Sequence, residues 1–356
     1  MTLADVIVVG GGPVGLVTAL EARRAGLDVV VIEPRSGPID KACGQGIMPA
    51  GVARLRDLGV HPEGAEITAI RYVSAGRSVT AAFRHGSGLG VRRTELSTRL
   101  WEAAGDAGVR VIRSAATDLT STPTQVSVRV RSGEEVRGAY LIGADGLHSR
   151  VRRVVSPRVL APRRNRRFGF VTHLPAPTHT DSVEVHWCER GEAYVTPLGA
   201  GEMGLAVLTR AGVSPQDVLA GLPEVRALVG DAAQFRGAGA FLQLPARRVR
   251  ERMLLVGDAA GYVDALTGEG LSVGFAQARA AVRAIATAAP TSYERDWWRV
   301  SALPLGLAAG LVAVTGSPAV RRRVVPAAAA LPSVFAAIVG AVAGVAEHDA
   351  SVPVAR

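Results

Sequence analysis

Cysteine, lysine and aromatic residues are scarce in this 356-residue chain, and each scarcity closes off a class of protein. Two cysteines, Cys43 and Cys188, cannot build a disulfide framework. The seven histidines, at 61, 85, 148, 173, 179, 186 and 348, are spread without metal-ligand spacing, so no metal site is legible. Aromatic residues make up 4 % of the chain, which leaves little to stack on nucleic-acid bases. The formal charge is +10, yet Lys41 is the single lysine among 41 basic residues, and alanine is abundant throughout. An arginine excess of that kind reflects base composition rather than a surface built for a polyanion, so no nucleic-acid partner is expected. No fixed period runs through the 41 glycines and 20 prolines, which excludes a collagen-like repeat. The N-terminus lacks a basic region, and Asp5 and the glycines from Gly10 break any apolar signal core, so a cytoplasmic protein is expected.

What is present is a globular pattern. Hydrophobic residues make up 48 % and charged residues 20 %, which excludes a disordered chain, and the length suits two packed domains. Residues 3–9 read as a strand buried on both faces, 16–25 as a helix ending at Gly26, and 29–32 as a second strand, which together make a βαβ unit. The texture then changes. Residues 68–74 and 78–83 pair around Gly76, and 167–174, 182–188, 193–197 and 203–209 form short strands with the alternation of a half-buried antiparallel sheet. A strand at 253–256 and a helix over 270–287 restore the parallel pattern. The expected fold class is therefore α/β, a Rossmann-like parallel sheet interrupted by an antiparallel-sheet substrate domain, with a C-terminal helical segment. The first domain takes residues 1–67, 91–155 and 251–290, the second 68–90 and 156–250, and the helical segment 291–356.

Three motifs carry chemistry. Gly10-x-Gly12-x-x-Gly15 follows a strand and opens a helix through Pro13, so a diphosphate would meet free backbone N–H groups and the positive end of the helix dipole. Glu33 closes the second strand 18 residues beyond Gly15, where a carboxylate accepts from a ribose diol and disfavours a 2′-phosphate; Arg35 lies beside it. Gly143-Ala-Asp145-Gly146 and Gly257-Asp258 each place a carboxylate on a glycine turn at a strand's carboxyl edge, where open α/β sheets bind ligands. Taken singly, either aspartate is an ordinary turn former or helix cap.

These motifs, in this order over about residues 3–290, resemble the superfamily of FAD-dependent monooxygenases and geranylgeranyl reductases, with the para-hydroxybenzoate hydroxylase type of fold. The resemblance implies an FAD-binding parallel-sheet domain. It implies that Asp258 bonds the ribityl chain, that the turn of Asp145 and Gly146 supports the pyrophosphate, and that Arg93 reaches back to FAD. It also places the backbone of Gly268, Gly270 and Leu271 beside the flavin ring. Two chemistries share the scaffold. A monooxygenase would use NAD(P)H and O2 to hydroxylate or epoxidise an apolar small molecule. A reductase would deliver hydride to a prenyl double bond.

Ala265 and Ser272 stand where the monooxygenases usually carry proline and asparagine, while Lys41-Ala-Cys43-Gly44 is similar to the reductase branch. Cys43 then either faces the flavin or is a small buried residue. Against the reductase, the second sheet lacks that branch's aromatic-rich strand, and 192–199 is nearer to small monooxygenases, so the balance leans to oxygen transfer. A non-catalytic binding protein on a degenerate nucleotide fold would leave three intact motifs unexplained.

The substrate wall is expected among Phe168, Phe170, Val183, Val185, Trp187, Tyr194 and Leu205, about half of which face a cavity; His173 and His186 lie on the same strands. The eight arginines of residues 150–167 read as a solvated connection, with docking of NADPH phosphates as the alternative. Residues 302–316 and 324–346 are apolar, and Pro326 and Pro332 interrupt the second run. A pair of helices packed on the parent fold is expected there, with peripheral membrane contact through 302–346 as the second reading.

Overall fold

The computed structural model describes residues 2–161, 166–175, 180–230 and 233–344. Its first strand, Thr2–Val9, runs parallel to Val29–Ile32 on one side and to Glu135–Gly143 on the other. Val6, Ile7 and Val8 are fully buried, as are Val29, Val30 and Val31, because helices cover both faces and β-branched side chains fill the pleats. Arg110–Ile112 and Met253–Leu255 extend the parallel array outward. An antiparallel extension, Val126–Val130 with Ala116–Ser121, leans on Glu135–Gly143. The helix between the first two strands is Pro13–Arg24, three residues earlier in onset than the apolar pattern indicates. Proline at its first position tolerates the missing N–H and sets the starting φ.

A second sheet of seven strands stands apart, in the order Arg236–Gly239, Arg167–Pro175, Glu202–Arg210, Glu192–Gly199, Ser182–Trp187, Ala69–Ser74 and Arg77–Ala82. Five of its six pairings are antiparallel, and Ser182–Trp187 with Ala69–Ser74 is the parallel one. Chain from two distant stretches is thereby joined into one wall. The α/β architecture of a parallel sheet interrupted by an antiparallel one is what the strand textures indicate.

The C-terminal region is three helices rather than a pair: Ser292–Val314, Pro318–Ala330 and Pro332–Ala343. Its first turns are locked to the parallel sheet. The Tyr293 hydroxyl donates to Leu255 O at 2.7 Å, Arg248 binds Glu294 at 2.7 Å, and the Arg248 guanidinium lies 3.8 Å from the ring centre of Trp297. The last two helices lie over the second sheet, where Phe335 packs against Tyr72 with ring centres 4.7 Å apart. Pro332 begins the third helix, so the break falls one residue before it, where a pre-proline residue leaves the helical region.

Candidate active site

Where the first strand ends, Gly10 adopts φ 110°, and a Cβ there would sit 2.5 Å from Ala144 O. Only glycine permits both, and the contact stacks the Gly10–Gly15 loop directly on the Gly143–Gly146 turn. Gly12 is different: its outer side is open, and the nearest atom to a Cβ there is Arg93 Nη2 at 4.0 Å. Gly12 caps Pro13–Arg24 with no side-chain hydrogen bond, so the first N–H groups of that helix face the opening. The loop therefore offers a diphosphate-sized cradle with a guanidinium above it.

Glu33 is buried at the edge of this cradle. Its carboxylate accepts from Gly11 N at 2.8 Å and from Arg35 N, Nε and Nη2 at 3.1, 2.7 and 3.1 Å. Burial raises its pKa, and the bonds from Arg35 and Gly11 outweigh that and hold it below the ordinary value. Arg35 is 45 % exposed along its side chain, so it can swing away and release carboxylate oxygens to a ribose.

Asp145 and Asp258 prove to be unlike. Asp145 accepts from the Ser149 hydroxyl, from Arg150 N at 2.6 Å and from Val151 N at 3.3 Å, so its carboxylate is spent on starting helix Arg150–Val155. The Asp258 carboxylate accepts no hydrogen bond among the described residues, and Asp258 lines the central cavity. Enclosure raises its pKa above the ordinary carboxylate value, with Arg93, Lys41 and Arg152 pulling the other way. Arg152 is almost fully buried, donates to Asp258 O at 3.0 Å and also binds Leu147 O and the Gln243 side chain. It stitches the two aspartate turns together. That corrects the expectation of a solvated arginine run, as does buried Arg167; Arg163 and Arg164 lie outside the described residues.

The cavity has a volume of about 550 Å³ and runs from Gly12, Arg93 and Asp258 past Gly268, Gly270 and Leu271 to the second sheet. Cys43 is on its wall, 4.0 Å from Arg93 Nη1. Gly257 faces Val14 at φ 60° and donates its N–H to Gln277 Oε1 at 2.7 Å, fixing the turn that presents Asp258. Beside the Gly268–Leu271 turn, Glu269 is 3 % exposed, and neither carboxylate oxygen has a hydrogen-bond partner among the described residues. Burial pushes its pKa up to about 7, with the nearby Thr267 hydroxyl opposing.

The far wall is one row across five strands: Val171, Ala206, Tyr194, Val185 and Tyr72. All five line the cavity. Of the residues expected there, Val183, Val185 and Tyr194 face it, while Phe168, Phe170, Trp187 and Leu205 do not. Side chains alternate along a strand, so Gly169 and Val171 point inward where Phe168 and Phe170 point out. His186 faces away and meets Glu184 at 3.0 Å, and His173 contacts the Gln45 amide at 2.6 Å. Behind the row lies a buried ionic group that no motif announced. Arg167 binds Asp264 at 2.7 Å and also Glu192, and Glu192 binds Arg321 of the second C-terminal helix. Burial lowers the Arg167 pKa, but the two carboxylates outweigh it and raise it further.

The family model described as "FAD binding domain" matches residues 3–212. The chain is 30 % identical over 341 residues to a menaquinone reductase of Mycolicibacterium smegmatis, covering 83 % of this chain and 80 % of that one. It is 25 % identical over 297 residues to a rifampicin monooxygenase of Rhodococcus hoagii, covering 76 % and 61 %. Among solved structures, a triple mutant of the flavin-dependent brominase Bmp2 superposes with a TM-score of 0.79 at 18 % identity over 96 % of this chain and 95 % of that one, a likeness of fold.

Proposed function

We propose a reaction from one premise: this chain belongs to the FAD binding domain family, and it is an FAD-dependent oxidoreductase. The residues present fit that cofactor, since Gly12 leaves a cradle open and the Asp258 carboxylate has no hydrogen-bond partner among the described residues. The pyrophosphate would be held by the backbone of Gly10, Gly12, Pro13 and Gly15 with Arg93. Glu33, freed from Arg35, would take the adenosine ribose. Asp258 would take the ribityl hydroxyls, with the turn of Asp145 and Gly146 packed beneath and Cys43 at the cavity wall. The backbone of Gly268, Gly270 and Leu271 would flank the ring, whose bound form supplies the two-electron chemistry.

The reaction we propose is monooxygenation of an apolar small molecule, with NAD(P)H as reductant and O2 as the source of the inserted atom. One observation carries this reading: the substrate end offers a dry apolar row and no free acid. Asp264 is tied to Arg167, and the Tyr194 hydroxyl donates to Leu266 O at 2.7 Å. Burial raises the pKa of Tyr72 and of Tyr262 well above the ordinary phenol value, so both phenols stay protonated. Oxygen transfer asks the protein for orientation and exclusion of water, which this wall supplies. Saturating an isolated alkene needs a proton as well as a hydride.

A second reading, reduction of a double bond in a long apolar chain, is favoured by Cys43. It stands on the cavity wall within the Lys41–Gly44 segment, where its thiol and the Lys41 ammonium both carry a proton; the menaquinone reductase relative agrees with it in name. Turnover with NADPH against prenylated and aromatic compounds, with and without air, decides. A product heavier by one oxygen and formed only in air supports the first reading. A product heavier by two hydrogens, formed equally without air, overturns it in favour of the second.

A further inference from the structure

The cavity does not end at the second sheet. Helices Ser292–Val314 and Pro332–Ala343 complete it, through Leu307, Leu311 and Val314 on one and Ile338, Val339 and Val342 on the other. Two of these, Val314 and Ile338, line the cavity and yet are 61 % and 45 % exposed, so the cavity reaches the surface between them. Leu303 on the first of these helices, and Leu331 and Val334 at the start of the second, are more than half exposed. Eight large apolar side chains stand exposed among the described residues, and six of them fall between Trp298 and Ile338. A surface so concentrated marks a contact.

Charge identifies the partner. Between Asp296 and Glu347 the sequence has arginines at 299, 321, 322 and 323 and no carboxylate. Arg321 is buried on Glu192 and Arg299 pairs with Asp296 at 3.0 Å near the anchored start of its helix, while Arg322, paired with Glu189 at 3.3 Å, and Arg323 stand exposed on the helix between the two that form the mouth. Arg84 joins them, its Cδ 3.9 Å from where a Cβ on Gly340 would lie. Helix Ser292–Val314 is long and apolar enough to cross a membrane, and the next two helices meet at 101°. Crossing is excluded by their anchors: Tyr293 and Trp297 are fully buried in the parallel-sheet core, and Val325, Phe335 and Val339 are buried against the second sheet. An anchored apolar face with a basic border lies in the plane of an interface.

We propose that this rim docks on an anionic lipid bilayer, so that the cavity opens directly into lipid and its apolar substrate passes between Val314 and Ile338. The inference rests on the reading that the substrate is apolar. Its test needs no substrate. FAD-loaded full-length protein is sedimented with phosphatidylcholine vesicles, with and without phosphatidylglycerol, beside the double variant Leu331→Glu/Val334→Glu and the variant Arg322→Glu/Arg323→Glu. The protein is expected to bind the anionic vesicles. The first variant should bind about tenfold or more weakly with unchanged FAD content, and the second should lose its preference for phosphatidylglycerol. Equal binding by wild type and the Leu331→Glu/Val334→Glu variant, or no binding to either vesicle, would overturn the proposal. So would a vesicle-free dimer that the same substitutions split, which would assign the rim to a second copy of the chain. Should product analysis show a polar substrate while vesicle binding holds, the reading of the substrate fails and the docking stands.

Discussion

The two ends of the cavity treat charge in opposite ways. At the glycine-loop end, neither the Asp258 carboxylate nor Arg93 Nε has a hydrogen-bond partner among the described residues, although Arg93 is only 9 % exposed. At the second-sheet end, Arg167, Glu192, Asp264 and Arg321 are buried, and every one is ion-paired behind the apolar row. Buried charge without a partner is costly, so it persists where a ligand completes it; charge closed on itself serves the fold. The contrast separates the residues that wait for a cofactor from those that hold the wall in place.

That contrast can be broken by substitution. Glu192→Ala would leave Arg167 and Arg321 facing each other across an empty site, and the expected loss is about 3–5 kcal/mol of stability, read by chemical denaturation. A loss below about 1 kcal/mol would mean that the ionic group does not lock the C-terminal helices. Asp258→Ala should leave the fold intact and weaken FAD by about 1.5–3 kcal/mol, because hydroxyls lose an ionised acceptor; fluorescence titration of FAD measures it. Unchanged affinity would remove the distinction between the two ends.

A pH series sharpens it. Glu269 ordinarily titrates at 4.5 and is lifted to about 7 in the fold. Between those values the folded state binds more protons than the unfolded one, so this group's contribution falls as pH rises from 4.5 to 7. Glu269→Gln should flatten that decline by about 1–3 kcal/mol, measured as unfolding midpoints at the two ends of the window. A parallel decline in the variant would assign the titration elsewhere. The smallest effect concerns the row itself: Ala206→Phe should lower kcat/KM for an apolar substrate about tenfold with FAD retained, whereas Phe170→Leu, facing the other way, should leave it unchanged.

Legibility in the sequence followed the range of the interactions. Gly10, Gly12 and Gly15 are set by one turn and one helix start, and Gly257 with Asp258 by one strand end, so spacing alone locates them. Asp145 shows the limit, since the same Asp-Gly pattern that places the turn says nothing of whether its carboxylate faces a ligand or, as here, Ser149 and Arg150. The wall was half legible. Alternation marks the strands and implies that about half of the seven candidates line the cavity, but which parity faces inward depends on a neighbouring sheet and on helices more than 100 residues away, so it does not separate Phe168 and Leu205 from Val185 and Tyr194. Arg152 and Arg167 sit in an arginine-rich run, and only tertiary contacts with Gln243 and Asp264 distinguish them from solvated neighbours. Arg321 is the clearest case, because three consecutive arginines carry no mark of the one that turns inward.

A crystal structure of the FAD complex tests the central claim most directly. The account predicts the pyrophosphate over Gly12, the adenosine ribose at Glu33 with Arg35 displaced, and a ribityl hydroxyl on the Asp258 carboxylate. An Asp258 carboxylate that makes no contact with the cofactor, or a dinucleotide that bypasses the Gly10–Gly15 loop, would contradict it.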